Sequence, residues 1–588
     1  MSIPRSIVSL LVCASLWPNS ARAEQVGTDS DEGGAHSASA DGVQTATGDR
    51  GLAERQSGGF PVEPWSDNDG IAPMKRYNIG DIGFRGELEY RVNAAFVAPL
   101  TVNGETDTKF QSWDQRLRLG GAVDFKDETS LHLSLDVLDG VLWGDNGTGT
   151  TEGPQTWSGA NVATKSVNVS KVCIVRWDEQ NALSPNSYRY GLCNADQIYV
   201  RRLYMDVMTP IGLFRVGRQG FTEGAGVAVN DGNGRRNRFG YTNRGNTVDR
   251  ILFATKPLEG FKPAAERNKS QTEGLFMFLA YDKLVQDEPH KFADDLSEVT
   301  GGFRWLSPSG PLGKNTEARV SHTYRWDQKY GTGVNSVVFR ALTQVGDFQA
   351  GLDGSVVLGH TREVSEAFRL ITSDPVVAQD ITQFGARAVV RYDRPTWTAY
   401  LEGDYASGDA DPTVRTPLTQ MIWADDSAVG LLMFKKVMAY QSARAAAAAN
   451  SVLRSLGAST FPTDAVDTRG AFANAMAIFP QADYRPSKNW LFRGGVLVAW
   501  APAPVNDPVQ SQLAKRGPRI DNDLVNFNGG KSASFYGYEV DARVQYRFHE
   551  HFAFDLEGAV LFPGDAFQDV NGYAVNSYMG QARSTVFF

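Results

Sequence analysis

From about residue 80 onward the chain alternates apolar and polar residues with period two, in one segment after another. Period two sends successive side chains to opposite faces of a strand, whereas an amphipathic helix needs a repeat near 3.6. Over residues 84–92, Phe84, Leu88, Tyr90 and Val92 fall on one face and Arg85, Glu87, Glu89 and Arg91 on the other. Further on, Tyr538, Val540, Ala542, Val544, Tyr546 and Phe548 oppose Glu539, Asp541, Arg543, Gln545 and Arg547. About 18 such segments begin near residues 84, 113, 130, 198, 213, 247, 273, 296, 316, 335, 348, 382, 396, 470, 489, 535, 551 and 577. Each has the ~10 residues that a strand tilted ~45° needs to cross an apolar band ~25 Å tall. The connections alternate in length: 126–129, 210–212, 346–347, 393–395 and 485–488 are short, and 143–197, 220–246, 407–469 and 501–534 are long. Short turns on one side and long loops on the other predict an all-β fold, a transmembrane antiparallel outer-membrane β-barrel of about 18 strands.

Composition excludes the main competitor. Although 42% of the 588 residues are hydrophobic, no apolar run approaches the ~20 residues of a membrane-spanning helix. The first 23 residues read as a secretory signal peptide, with a short basic head, an apolar stretch from Ile7 to Trp17 and the small-residue site Ala21-Arg22-Ala23. Residues 24–75, rich in Gly, Ser, Ala, Asp and Thr, read as a disordered periplasmic lead, and 76–588 as the barrel. Export places the chain in the outer membrane of a Gram-negative bacterium. In that oxidising setting Cys173 and Cys193 are expected to form a disulfide. The net charge of -9 argues against nucleic acid as a partner.

If the apolar face meets lipid, the polar face lines a pore, because a ring of this size is too wide for side chains to fill. Parity assigns to that substrate pathway Arg85, Arg91, Arg116, Arg118, Arg202, Arg250, Arg304, Arg319, Arg325, Arg340, Arg387, Arg391, Arg493, Arg543, Arg547 and Arg583. The inward acids are Glu87, Glu89, Asp124, Asp136, Asp206, Glu402, Asp404, Glu539, Asp541, Asp555 and Glu557. Some arginines are expected to pair with neighbouring acids across strands, and the remainder to attract an anionic solute through a planar fork suited to carboxylate or phosphate. No GxSxG, P-loop or HExxH pattern occurs, so no enzyme activity, cofactor or metal is predicted.

Three places resemble a known family: residues 214–219 (Phe-Arg-Val-Gly-Arg-Gln), the run 243–250 ending Val-Asp249-Arg250, and 405–409 (Tyr-Ala-Ser-Gly-Asp). They look like the alginate export family, outer-membrane barrels whose Arg-rich lumen passes an anionic exopolysaccharide. The resemblance maps the family motif onto Gly217, Arg218, Gln219, Asn246 and Asp249, adding Arg218 and Asp249 to the pathway. Parity with Phe214 and Val216 points Arg218 outward unless Gly217 or Gly220 sits at a bulge.

The resemblance implies export of an acidic, alginate-like polysaccharide, and the alternative is an anion-selective, substrate-specific diffusion porin for small organic anions. The expected partners are outer-membrane lipid, the transported anion, the barrel assembly machinery through the terminal aromatic Phe588, and periplasmic synthesis or export proteins. Residues 421–456, with an Ala-rich run from Ala443 to Ala449, predict one helical segment within the 407–469 loop insertion. It serves as a lid or plug, or else as a surface hairpin. Arg235, Arg236, Arg238 and Arg244, beside the run 230–233, mark a second long loop that gathers anions, binds a cation or is simply solvated.

Overall fold

Each alternating segment is a strand, and the first pairs with the last. The computed structural model describes residues 76–588 apart from 104–108, most of 145–195, 221–225, 229–236, 243–246, 285–295, 456–465, 517–522 and a few single positions. The signal peptide, the N-terminal lead and the Cys173–Cys193 pair lie outside the described residues. The barrel strands are β1 (Ile82–Ala98), β2 (Phe110–Phe125), β3 (Thr129–Gly144), β4 (Asp196–Thr209), β5 (Gly212–Gly220), β6 (Thr247–Thr255), β7 (Gly274–Leu284), β8 (Ser297–Gly310) and β9 (Gly313–Trp326). They continue as β10 (Gly333–Val345), β11 (Phe348–Thr361), β12 (Gln379–Asp393), β13 (Trp397–Ala406), β14 (Ala475–Tyr484), β15 (Trp490–Val505), β16 (Ala533–Phe548), β17 (Phe552–Pro563) and β18 (Ser577–Phe587). Every neighbour pair is antiparallel, and β1 pairs with both β2 and β18, which closes an 18-stranded barrel. Closure satisfies every edge amide, a requirement inside hydrocarbon.

The short turns demand particular backbones. β10 and β11 are joined by Gly346 and Asp347, and Gly346 adopts φ 61° with open space around it, so glycine is used there for its left-handed conformation alone. At the same end, a short strand Arg76–Ile79 folds back on β1, with Arg76 opposite Arg85 and Ile79 opposite Ile82. β18 covers the same edge of β1 from Ala98 down to Leu88, where Phe588 and Leu88 exchange two backbone hydrogen bonds of 2.9 Å.

The outer surface is apolar: Leu131, Leu203, Ile251, Leu279, Val320, Leu352, Leu401, Ile478, Val540 and Leu556 are exposed on it. Aromatic residues ring it at two levels. Phe125, Phe214, Phe348, Trp397, Trp490 and Phe548 stand near the short turns, and Phe96, Trp113, Tyr281, Tyr324, Phe384, Tyr405 and Tyr578 near the long loops. On β13, Trp397 and Tyr405 are eight residues apart on one face, roughly 20 Å vertically at a ~40° tilt. That spacing matches a membrane's apolar band with its aromatic belts, and the protein is a transmembrane barrel of the Gram-negative outer membrane.

The helical expectation was too simple. Residues 421–432 are not helical; a π-helical turn (Met433–Met438) leads into α2 (Ala439–Ser455). Two further helices occupy other long loops, α1 (Glu363–Thr372) and α3 (Pro508–Ala514), neither of which stands out from the period-two background.

Candidate functional site

The barrel wall places a charged set inside, and most of its arginines reach an acid. Arg85 pairs with Asp124 at 2.8 Å, Arg91 and Arg116 share Glu89, and Arg118 meets Asp136 at 2.7 Å. Arg250 pairs with Asp282, and Arg325 with Glu298 at 3.0 Å. Arg387 lies 2.9 Å from both Glu402 and Asp404, Arg391 meets Asp393, Arg493 meets Asp483, and Arg543 meets Asp555. Arg583 bridges Asp555 and Glu557, and Arg547 donates to Gln545. Arg202 faces inward beside Ser134 and is buried, as is Asp541. Glu87 remains partly exposed toward the short-turn end. These pairs sit on neighbouring strands, where opposite charges stabilise the sheet.

Sequence reasoning missed Arg201, Arg215, Asp282, Glu298, Glu317, Asp353 and Asp483. Arg215, which binds Asp206 at 2.7 Å, was legible from Phe214 and Val216 on the other face. Arg201 was not: it points inward beside Arg202 because the register shifts between Ser134 and Leu135, and parity counting cannot anticipate a bulge.

Arg218 and Asp249 correct the pathway assignment. Arg218 follows simple parity: it stands opposite the exposed Leu203, and Asp249 shares a face with the exposed Ile251. The two bond to each other on the outside of the barrel, Nε to Oδ1 at 3.0 Å and Nη2 to Oδ2 at 3.3 Å. Gly217 does carry a positive φ of 126°, but the turn does not reverse the face of Arg218.

Across β8, β9 and β10, Arg304, Arg319 and Arg340 stand directly opposite one another, and Asp353 of β11 follows in the same row. Glu317 lies 3.1 Å from Arg304 and 3.5 Å from Arg340. Three cations and two acids thus stand together on this stretch of wall. Directly opposed like charges destabilise a sheet, and Glu317 offsets part of that cost here.

Two long loops fold inward against the rest of the ring. From the 221–246 loop, Arg238 donates to Gln481 and Asp483, both at 2.7 Å, and lies 4.0 Å over the ring of Tyr400. Its backbone carbonyl accepts from Arg493 at 2.6 Å and Arg543 at 3.1 Å. Gly240 donates to Glu557, and the Tyr241 hydroxyl to Asp114. From the 407–474 loop, the amides of Leu431, Leu432 and Met433 all donate to the buried carboxylate of Glu539, at 2.7, 2.8 and 2.6 Å. Gly430 makes this approach possible: its φ is 73°, and a β-carbon there would lie 2.9 Å from Glu539 Oε1 and 2.8 Å from Leu497. The loops also hold each other, with Asn237 and Thr242 donating to the Asp426 carbonyl. These bonds to the wall fall on β2 and on β14 to β17, and Ser427 adds Arg387 of β12 at 2.9 Å. Here the wall turns apolar, with Ala475, Ala477, Phe479, Leu497 and Ala499 packed beneath Leu432, Phe434 and Phe472.

Above them α1, α2 and α3 pack through Phe368, Ala445, Ala448 and Val509. Asp507 caps α3, accepting from the amides of Val509 at 2.9 Å and Gln510 at 3.0 Å. Burial pushes its carboxyl up to about 7, against the donated hydrogen bonds and the nearby Arg444. The folded cap therefore holds a proton that the unfolded loop releases near 3.8, so the cap loses stability as pH rises through that window. Amide exchange in α3, corrected for its intrinsic pH dependence, should be faster at neutral than at acidic pH. Asp507→Asn, which keeps a capping oxygen without the charge, should abolish the difference.

No family model matches the chain. No curated protein matches it either. Among solved structures it is similar to OccK9 (OpdG) of Pseudomonas aeruginosa, at 10% identity and TM-score 0.43, over 86% of this chain and 98% of that one. A BenF-like porin from Pseudomonas fluorescens Pf-5 shows the same identity, TM-score and coverage. OccAB1 of Acinetobacter baumannii follows at 9% identity and TM-score 0.42, over 86% of this chain and 96% of that one. The alginate-exporter expectation is corrected: Arg218 and Asp249, which carried that resemblance, stand outside the lumen, and the similar solved structures bear other names, one of them a BenF-like porin.

Proposed function

We propose that this protein is a passive outer-membrane pore that admits small organic anions. The observation that carries this reading is the row Arg304, Arg319, Arg340, three guanidinium groups side by side on the inner face of the wall. Guanidinium groups bind a carboxylate through a planar fork; these three are largely buried among their neighbours, and where water reaches them each such contact is worth only ~0 to 1 kcal/mol. Weak contacts suit a conduit, since the solute must also leave. Two loops bonded to the inner face of the wall support a small solute over a polymer, because they take up space inside the ring.

The test is permeation through the purified barrel in lipid. Reversal potentials under a salt gradient should report anion preference, and liposome uptake should rank an aromatic or aliphatic monocarboxylate above an uncharged sugar of equal size and above uronic-acid oligomers. Equal passage of cations and anions, or preferred passage of the oligomers, would remove the proposal.

A further inference from the structure

Among the described barrel strands, every neighbouring pair is consecutive in the chain except β18 and β1. No turn joins these two, and register partners such as Asn93 and Arg583 come from opposite ends of the barrel sequence. Bringing such distant segments together carries the largest loop-closure entropy in the ring.

The tip of the 221–246 loop lies across this junction on the inner face. Arg238 donates to Gln481 and Asp483 on β14, and its carbonyl accepts from Arg493 on β15 and Arg543 on β16. The Phe239 ring stacks on Phe479 of β14, centroids 5.5 Å apart. Gly240 donates to Glu557 of β17 at 2.9 Å. Tyr241 then bridges the junction itself: its ring centroid lies 4.8 Å from Cζ of Arg583 on β18 and 4.4 Å from Cζ of Arg91 on β1. Its hydroxyl donates to Asp114 of β2 at 2.7 Å. Residues 238–241 thus touch each strand from β14 round to β2, although their loop grows from β5 and β6 elsewhere in the ring.

A cation over an aromatic face is attracted by the ring quadrupole, and more strongly where water is excluded. Arg91 and Arg583 are both buried. One guanidinium comes from each side of the junction, so Tyr241 meets both only when β1 and β18 are paired. Coupling of this kind is reciprocal: a junction that seats Tyr241 is held shut by it to the same extent.

We propose that residues 238–241 form a clasp that holds the closure of the barrel from within, with Tyr241 as the pin between the first and last strands. The clasp is independent of which solute the pore admits, because it acts between strands.

Heat-driven unfolding of the full chain in detergent, read as loss of the fast-migrating folded band, tests it with and without a covalent bond across the junction. Ala94 and Ala582 are register partners on β1 and β18, and Ala94→Cys with Ala582→Cys supplies that bond on oxidation. In the reduced state, adding Tyr241→Ala should speed unfolding roughly tenfold at a fixed temperature, equivalent to about 1.4 kcal/mol. In the oxidised state, Tyr241→Ala should unfold no faster than its oxidised parent. The control bond is Ala318→Cys with Ala341→Cys, register partners on β9 and β10, where the tenfold difference should survive oxidation. Equal rates for the reduced parent and variant would overturn the proposal. So would a difference that survives oxidation at positions 94 and 582, or one that vanishes on oxidation at 318 and 341. Either would make Tyr241 a stabiliser of the fold at large. Tyr241→Phe keeps the ring between the guanidiniums and loses the bond to Asp114. It should show the same pattern with a smaller factor, and it provides the readout if Tyr241→Ala fails to fold.

Discussion

Glu539→Ala should raise the single-channel conductance several-fold while leaving the barrel folded. Its carboxylate receives three backbone amides from the start of the π-helical turn. A hydrogen bond to a charged group contributes roughly 1.5–3 kcal/mol, and orphaned buried amides add their own penalty. Losing even one such bond shifts a closed–open equilibrium of the loop by about tenfold or more. The apolar seat formed by Leu497, Phe479 and Leu432 persists, so the loop should open transiently rather than leave. Glu539→Gln should give a smaller rise, because an amide oxygen still accepts while its NH2 group opposes one donor. Planar-bilayer recordings showing unchanged conductance in Glu539→Ala, with normal heat-modifiable mobility, would show that the apolar seat alone holds the loop.

The second large effect concerns selectivity. Arg319→Gln should lower the anion-to-cation permeability ratio roughly fivefold to tenfold, equivalent to about 1–1.4 kcal/mol, the interaction of one charge with another about 4 Å away in water. It is the cleanest of the three substitutions because Glu317 keeps both Arg304 and Arg340. Arg304→Gln and Arg340→Gln should change selectivity in the same direction but also lower thermal stability, since each withdraws a partner from a buried carboxylate. Raising ionic strength should shrink the native protein's preference toward that of the variant. A ratio that Arg319→Gln leaves unchanged would separate the arginine row from permeation.

The wall of the barrel was legible in the sequence, and its contents were not. Strand positions followed from period two because one face meets lipid and the other water; the starts near 348, 535 and 577 fall within two residues of β11, β16 and β18. Parity also placed Arg218 correctly, and it was the motif likeness that misassigned it. Arg238 and Tyr241 lie in a Gly- and Asn-rich loop with no period, and their partners Asp483 and Asp114 are 245 and 127 residues away along the chain. No local pattern encodes such contacts. Arginine abundance alone suggested a more positive lumen, because Asp282, Glu298, Glu317 and Asp353, which offset it, were left out of the inward set.

The short strand Arg76–Ile79 bears on how the ring finds its final alignment. Closing a barrel requires β18 to choose where along the free edge of β1 it stops, and nothing in a bare ladder of amides prefers one offset. Here part of that edge is taken. Arg76 pairs with Arg85, and Phe588 pairs with Leu88, which leaves only Gly86 and Glu87 between them. A slip of one residue would turn the inward charges of β18 to lipid, and a slip of three would drive Phe588 into the space held by Arg76. The hairpin works as an end stop for the closing seam, so that the last strand to zip is measured against the first one laid down.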